Sequence, residues 1–451
     1  MQNRKILQYP YSMGMASSST VIILIFMLLS AGCKQKVSVP ETAADLQAAN
    51  GQPVYGDALI EGTIGEPSNL IPMLASDSAS HSVAGHIFNG LVKYDTDLSI
   101  TGDLAESWDI SKNGLIITFH LRKGVNWTDG VEFTADDVMF GYKTIIDEKT
   151  PSAYKEDYLQ VKKAEVLDRY TFRVTYGKPF APALTSWGSL VVLPKHLLEG
   201  KDITKDDFAR NPVGLGPYKL AKWASGQEVD LVSNKDYFEG RPYLDQYIYK
   251  VIPDAATMFL ELKTGGIDMM GLTPIQYTKQ TDTPFFKGNF RKYRYPAFQY
   301  THLAFNQKHP WFKDKRVRQA IAYGVDKNEI VDVVLFGLGT PATGPYVPNT
   351  WPYNPNVTKY GYNPEKAKEL LREAGWQDTD GDGILDKDGK PFEFTILTNA
   401  GNALRKNTAT IIQWRLRKIG IKVEIRTVEW STFVNQFIDK KRFEAVLLGW
   451  S

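Results

Sequence analysis

Residues 104–146 constrain the fold most, because each part of this stretch favours one local structure. Asn113 and Gly114 form a turn signal, and apolar and polar residues alternate after it from 117 to 122. This alternation predicts a half-buried strand entered through a tight turn. Thr134 then begins a Thr-x-x-Asp capping box followed by apolar residues at helical spacing. The stretch therefore predicts a strand, a polar loop and an amphipathic helix.

The second half of the chain alternates helix and strand patterns. Asn363 and Pro364 begin a predicted helix that Gly375 ends, and residues 404–419 predict another helix. Residues 421–425 then alternate as a strand. Strand and helix in alternation predict an α/β fold.

Composition and motifs exclude several classes of protein. The 53 basic and 51 acidic residues give a net charge of +2 without a long run of one sign, so we expect no nucleic-acid partner. The chain contains no GxSxG, HExxH, Walker A or Cys/His cluster motif. We therefore expect a protein that is not an enzyme; a secreted hydrolase is the competing class.

The N-terminal region has the pattern of a signal peptide. Basic Arg4 and Lys5 precede an apolar core at 21–29, which is shorter than the roughly 20 residues needed to span a bilayer. The small residues before Cys33 resemble a lipobox, so residues 1–32 are predicted to be a lipoprotein signal peptide and Cys33 the lipidated residue. An ordinary signal peptide that contains a cysteine is the alternative. Residues 33–56 are small and polar and predict a flexible linker.

Four segments resemble one known family, in the family's order. These are the stretch 104–146, NPVGLGPYKL at 211–220, VRQAIAYGVDKNEI at 317–330 and YNPEKAKELLREAGW at 362–376. Together they resemble the family 5 extracellular solute-binding proteins, which are the peptide, nickel and oligosaccharide receptors of ABC importers.

The resemblance implies an α/β fold of the class II periplasmic-binding-protein type, with two jaws around a cleft and a third, inserted domain. Domain I would comprise residues 57–90 and 205–290, domain II residues 91–204, and domain III residues 291–451, incomplete at its C-terminus. Ligand would be enclosed between domains I and III by a hinge motion.

The implied function is that of a substrate-binding lipoprotein which captures di- or oligopeptides outside the cytoplasm and delivers them to an ABC permease. The only membrane contact would be the N-terminal lipid, no cofactor would be required, and the full-length protein would be a monomer. The alternatives are a receptor for a nickel chelate, an oligosaccharide or an opine, and a lipoprotein with a sensing or structural role.

The resemblance also implies ligand contacts. Arg405 lies where dipeptide receptors carry an arginine that binds the peptide carboxylate, a role that suits its bidentate geometry. The alternative is that Arg405 is a solvated residue of the first helical turn. The predicted ligand-binding residues are Pro67, Ser68, Asn69, Asn402, Arg405 and Trp450.

The last residues, 443–451, are an apolar strand pattern without a polar tail. In the family, the Gly-Trp at this place precedes a loop with the aspartate that binds the peptide amino group. We therefore expect the chain to be truncated, its last strand to be an unpaired edge, and residues 33–451 alone to bind peptides poorly.

An acidic loop follows the predicted helix at 364–374. Carboxylates at its positions 1, 3, 5 and 9, with glycine at position 6, resemble a calcium-binding loop, although position 12 is Gly389. A solvated turn is the equally weighted alternative. The residues of this predicted structural calcium site are Asp378, Asp380, Asp382 and Asp386.

Overall fold

The computed structural model describes residues 53–450, except residues 98, 189–191, 296–298, 349 and 351. The predicted signal peptide, Cys33 and nearly all of the predicted linker lie outside the described residues. None of the described helices combines the length and the apolar character that crossing a membrane requires.

The strands are Ala58–Thr63 (β1), Val92–Tyr94 (β2), Ile100–Gly102 (β3), Ala105–Ile110 (β4), Ile116–Leu121 (β5), Val161–Asp168 (β6), Thr171–Tyr176 (β7), Tyr218–Ala224 (β8), Glu228–Ser233 (β9), Gln246–Val251 (β10), Tyr300–Phe305 (β11), Asp386–Lys387 (β12), Lys390–Pro391 (β13), Glu393–Asn399 (β14), Lys422–Val428 (β15) and Ala445–Trp450 (β16). The α-helices are Ser78–Ile87 (α1), Ala135–Ile146 (α2), Lys155–Tyr158 (α3), Lys195–Leu198 (α4), Ala255–Thr264 (α5), Pro284–Asn289 (α6), Lys315–Gly324 (α7), Lys327–Val333 (α8), Pro364–Glu373 (α9), Ala403–Arg417 (α10) and Trp430–Thr432 (α11), the last continuing as a π-helical turn, Phe433–Ile438.

Three four-stranded sheets organise the described residues. The first sheet has the order β1-β10-β9-β8, with β1 parallel to β10 and the other pairs antiparallel. The second sheet, β4-β5-β7-β6, is antiparallel throughout. The third sheet has the order β11-β16-β14-β15 and mixes antiparallel and parallel pairs. The first sheet combines strands from residues 58–63 with strands from residues 218–251, and the second sheet lies between them in sequence.

The stretch at 104–146 folds as its sequence predicted. Gly114 adopts a positive φ of 69° in the turn before β5, whose apolar side chains Ile117, Phe119 and Leu121 are buried. Helix α2 begins after Thr134, and Asp137 Oδ2 accepts a hydrogen bond from the Thr134 backbone N–H at 2.9 Å. This contact ties the polar loop to the helix.

The cores lie on the faces of the sheets. One large apolar cluster joins the second sheet, α1 and one face of the first sheet, and a small one with Met258 and Phe259 covers the other face of the first sheet. The third sheet is packed on one face by α7, α9 and α10, and on the other by a cluster that contains Trp430 and Phe433. The first and third sheets therefore belong to separate packed lobes, called below the first and second lobe.

The expectation of an unpaired last strand is wrong. Strand β16 lies inside the third sheet, pairing with β11 along its length and with β14 at Ile396 and Leu397. Its residues 445–448 are all buried, because both faces of the sheet are covered. An apolar run of this kind is typical of a central strand.

Candidate functional site: a cleft between two lobes

A cleft lies between the first lobe and the second lobe. It encloses about 630 Å³ of empty space, counted with its open mouth. The first lobe contributes one face of its sheet, one side of α1 and the loop after β1. The second lobe contributes Arg405 and Trp430. The lining residues are Glu61, Thr63, Ile64, Gly65, Pro67, Ser78, Ala79, Ser82, Val83, Val229, Tyr249, Val251, Arg405 and Trp430.

Strand register explains which residues of the sheet reach the cleft. In the parallel pair of β1 and β10, Glu61 lies beside Tyr249 and Thr63 beside Val251. Paired residues point to the same face, and side chains alternate along each strand. Ile60 therefore faces the opposite side, where it packs against the cluster with Met258.

The loop after β1 contains three predicted ligand-binding residues, of which Pro67 lines the cleft. Ser68 instead donates from its Oγ to Asp77 Oδ2 at 2.5 Å, and its backbone N–H donates to Ser80 Oγ at 2.8 Å. Asn69 Oδ1 accepts from the Ile71 N–H at 2.8 Å. The Ser68 side chain holds the loop against the start of α1, and the Asn69 side chain caps its own turn. Neither residue is in the described lining of the cleft.

Arg405 is held in the cleft by the first turn of α10. Asn402 caps this helix and accepts a hydrogen bond from the Arg405 backbone N–H at 3.0 Å. The Arg405 guanidinium donates from Nη1 to Asn399 Oδ1 at 2.7 Å, and no described carboxylate forms a salt bridge with it. Burial lowers the pKa of Arg405. The cleft thus contains a partly desolvated cation whose described partner is a neutral amide.

Trp430 is a cleft residue that sequence reasoning missed. It begins α11, where Glu429 accepts hydrogen bonds from the N–H groups of Ser431 and Thr432 at 2.7 and 2.9 Å. The indole is buried, and its Nε1 has no hydrogen-bond partner among the described residues. The ring touches the other lobe: a Cβ atom added to Gly65 would lie 2.6 Å from Trp430 Cδ1. Nothing in the sequence indicates this contact between lobes.

Glu61 was also missed, although an acid within an apolar strand is a signal that the sequence offers. Its Oε2 accepts a hydrogen bond from the Tyr247 hydroxyl at 2.6 Å. Burial raises the pKa of both Tyr247 and Tyr249, with Glu61 adding to the shift, so both phenols stay protonated donors.

Trp450 lies elsewhere. Its side chain is 45% exposed at the end of β16, opposite Tyr300, and it does not line the cleft among the described residues.

The acidic loop lies on the surface of the second lobe. Asp378, Asp380 and Asp382 can each offer one oxygen such that these atoms lie within 4.8 Å of one another. Asp386 stands apart from this group, and its Oδ2 accepts from Thr379 Oγ1 at 3.1 Å. Three convergent carboxylates on a tight loop suit a hard cation such as Ca²⁺, and calcium binding stays a prediction.

Comparison with known proteins identifies the family. The profile of bacterial extracellular solute-binding proteins, family 5 Middle, matches residues 99–451. The oligopeptide-binding protein AppA of Bacillus subtilis is 38% identical over 97% of this chain and 80% of its own length. Heme-binding protein A of Haemophilus influenzae is 30% identical over 97% of this chain and 81% of its own length.

Solved structures share the fold. AppA of Bacillus subtilis in complex with a nonapeptide superimposes with a TM-score of 0.83, covering 89% of this chain and 80% of AppA. NikZ of Campylobacter jejuni in complex with Ni(L-His) gives a TM-score of 0.77 at 33% identity, covering 88% of this chain and 77% of NikZ. The chain belongs to the family 5 bacterial extracellular solute-binding proteins. The predicted α/β fold of the periplasmic-binding-protein type is thereby confirmed. Family membership also indicates that the protein acts outside the cytoplasm.

Proposed function

We propose that this protein is the substrate-binding component of an ABC importer and that it captures peptides in the cleft between its two lobes. It acts as a receptor and catalyses no reaction. The observation that carries the proposal is Arg405, a cleft guanidinium without a carboxylate partner among the described residues. A bound peptide would supply the missing anion.

The energetics favour a ligand carboxylate at this place. A guanidinium presents paired donors that match a carboxylate, and such charge-assisted pairs are among the stronger hydrogen bonds. Because Arg405 is already partly desolvated, part of the cost of burying its charge is met before the ligand arrives. The nonapeptide held by AppA, which shares this fold at 38% identity, supports a peptide as the ligand.

The direct test is mass spectrometry of ligand released from the purified full-length protein. We expect peptides. Release of haem or of a nickel–histidine complex, the ligands named for Heme-binding protein A and NikZ, would instead contradict the proposal.

Arg405→Gln tests the role of the guanidinium. This variant keeps a side chain that can donate to Asn399 and removes the positive charge. We expect peptide affinity to fall by about 30-fold or more, because losing one partner of a desolvated charge pair costs about 2–5 kcal/mol. Lys406→Gln is the matched control, since it removes a positive charge from an exposed neighbour on the same helix. Equal affinities for both variants and the wild type would exclude Arg405 from the site.

The remaining parts of the proposal concern the membrane anchor of the receptor and the permease that it supplies. Cys33 is acylated, residues 33–56 tether the folded part to the membrane, and a permease accepts the peptide; no cofactor takes part. We also propose the domain division expected from the sequence. Domain I comprises residues 57–90 and 205–290, domain II residues 91–204 and domain III residues 291–451. Labelling with a palmitate analogue should mark the wild type and leave Cys33→Ser unmarked; an unlabelled wild type would contradict the anchor.

A further inference from the structure

We propose that Glu61 makes the first-lobe wall of the cleft a subsite for a cationic group of the ligand, an ammonium or a guanidinium. This inference rests on the proposed peptide-binding function and adds a charge preference to it. It starts from the charges of the cleft: among the described lining residues, Glu61 supplies the one carboxylate and Arg405 the one guanidinium.

Glu61 is placed in the cleft by strand geometry. It lies on β1 beside Tyr249 of β10, on the face that α1 and the second lobe partly cover. Its side chain is half-buried. A carboxylate in such a position needs hydrogen bonds or a counter-charge to offset its lost hydration.

The described surroundings of Glu61 satisfy only part of this need. Its hydrogen bond comes from the neutral Tyr247 hydroxyl at 2.6 Å, whereas an ionised carboxylate can accept about four. No described lysine or arginine forms a salt bridge with it. Lys250, the basic residue next to Tyr249, points to the opposite face of the sheet and pairs with Glu261 at 2.9 Å. The cleft therefore leaves the negative charge of Glu61 available to a ligand.

An aromatic wall beside Glu61 favours the same kind of group. The Tyr249 ring lines the cleft and is fixed by a hydrogen bond from its hydroxyl to the Ser82 carbonyl at 3.2 Å. The Tyr247 ring lies 4.9 Å from it, between centroids. Aromatic faces attract cations, and the attraction adds to that of a nearby carboxylate.

Glu61 and Arg405 lie on opposite lobes, so the preference for charged ligands is coupled to closure of the lobes. A ligand with a cationic group at Glu61 and a carboxylate at Arg405 would contact both lobes at once. Contacts that exist only when the lobes meet favour the closed form, so a dipolar ligand would stabilise closure more than a neutral one.

The experiment uses the purified full-length protein and synthetic alanine peptides of three, five and nine residues. Each carries either lysine or norleucine at its central position, and each is made with a free and with an acetylated N-terminus. Titration calorimetry should show that the wild type prefers peptides with a cationic group by about 10- to 100-fold, the range expected for a charge-assisted hydrogen bond. Comparing lysine peptides with norleucine peptides shows whether the preferred cation belongs to a side chain. Comparing free peptides with acetylated peptides shows whether it is the terminal ammonium.

Glu61→Gln should abolish this preference, so that lysine and norleucine peptides, and free and acetylated peptides, bind with similar affinities. Glu261→Gln is the matched control: it removes the same charge from the opposite face of the sheet and should keep the preference. Thermal melting checks that both variants fold. The comparison of the peptides on the wild type does not depend on the folding of any variant.

The outcomes separate this inference from the function on which it rests. The subsite proposal is wrong if the wild type binds peptides without preferring either cationic group, or if folded Glu61→Gln keeps the preference. Either result leaves the proposed peptide-binding function intact. Failure of the wild type to bind any of the peptides overturns both.

Discussion

Gly65 lies where the loop after β1 meets the second lobe beside the cleft, and Gly65→Ala should weaken ligand binding without unfolding the protein. A Cβ atom at this position would lie 2.6 Å from Cδ1 and 2.7 Å from Cγ of Trp430. Gly65 belongs to the first lobe and Trp430 packs in the second. The clash therefore exists only when the lobes are together.

The expected magnitude follows from that geometry. Contacts below 3.0 Å require the indole or the loop to move, and overpacking of this kind costs about 1–3 kcal/mol. Because the open form escapes the clash, this cost acts on closure, and peptide affinity should fall by about 5- to 150-fold. The free energy of unfolding should change little, since an open protein keeps both lobe cores.

Calorimetry with the peptides released from the wild type measures the effect. Trp430→Ala in the Gly65→Ala background removes the clashing ring, so the double variant should bind better than the sum of the two single changes predicts. Wild-type affinity in Gly65→Ala, or strictly additive effects in the double variant, would refute the idea that this contact forms on closure.

Three further predictions concern stability. Burial among tyrosine rings lowers the pKa of His86, so the unfolded chain binds its proton more readily and stability should fall as pH drops below about 6.5; His86→Gln should flatten this dependence in urea denaturation between pH 7.5 and 5. A fall that is unchanged in the variant would show that another group is responsible. Trp187 is fully buried among four aromatic rings, and Trp187→Ala should cost about 3–5 kcal/mol in equilibrium unfolding, whereas a cost under about 1 kcal/mol would contradict the packing. Calcium should raise the melting temperature of the wild type but not that of Asp380→Ala with Asp382→Ala, and identical melting in calcium and in chelator would leave only a solvated turn.

Much of the local structure could be read from the sequence because it depends on neighbours in the chain. Asn363 caps α9, accepting from the Lys366 N–H at 2.9 Å, as the pattern indicated. Asn402, predicted as a ligand-binding residue, instead caps α10. Helical periodicity over residues 316–334 indicates one helix, whereas the structure has two, α7 and α8, separated at Val325 and Asp326. Asp326 accepts from the N–H groups of Asn328 and Glu329 and so begins a new helix, a capping signal that helical periodicity alone conceals.

The order of strands within a sheet could not be read in this way. The apolar pattern of 445–450 is equally compatible with an edge strand and with a central strand, because the pattern reports burial and not neighbours. Its pairing with both β11 and β14 follows from long-range packing on both faces of the third sheet.

The sequence by itself determined the family and the α/β class, since motifs, periodicity and helix caps are local properties. Only the tertiary structure decided which side chains share the cleft. Glu61 and Arg405 are separated by more than 300 residues in the chain, yet both line it, and Trp430 meets Gly65 across it. Ser68 and Asn69, adjacent to the cleft residue Pro67, instead bond to α1 and to their own turn. The physical reason is that a site between lobes is built from the packing of separate cores, which fixes distances that no local pattern records.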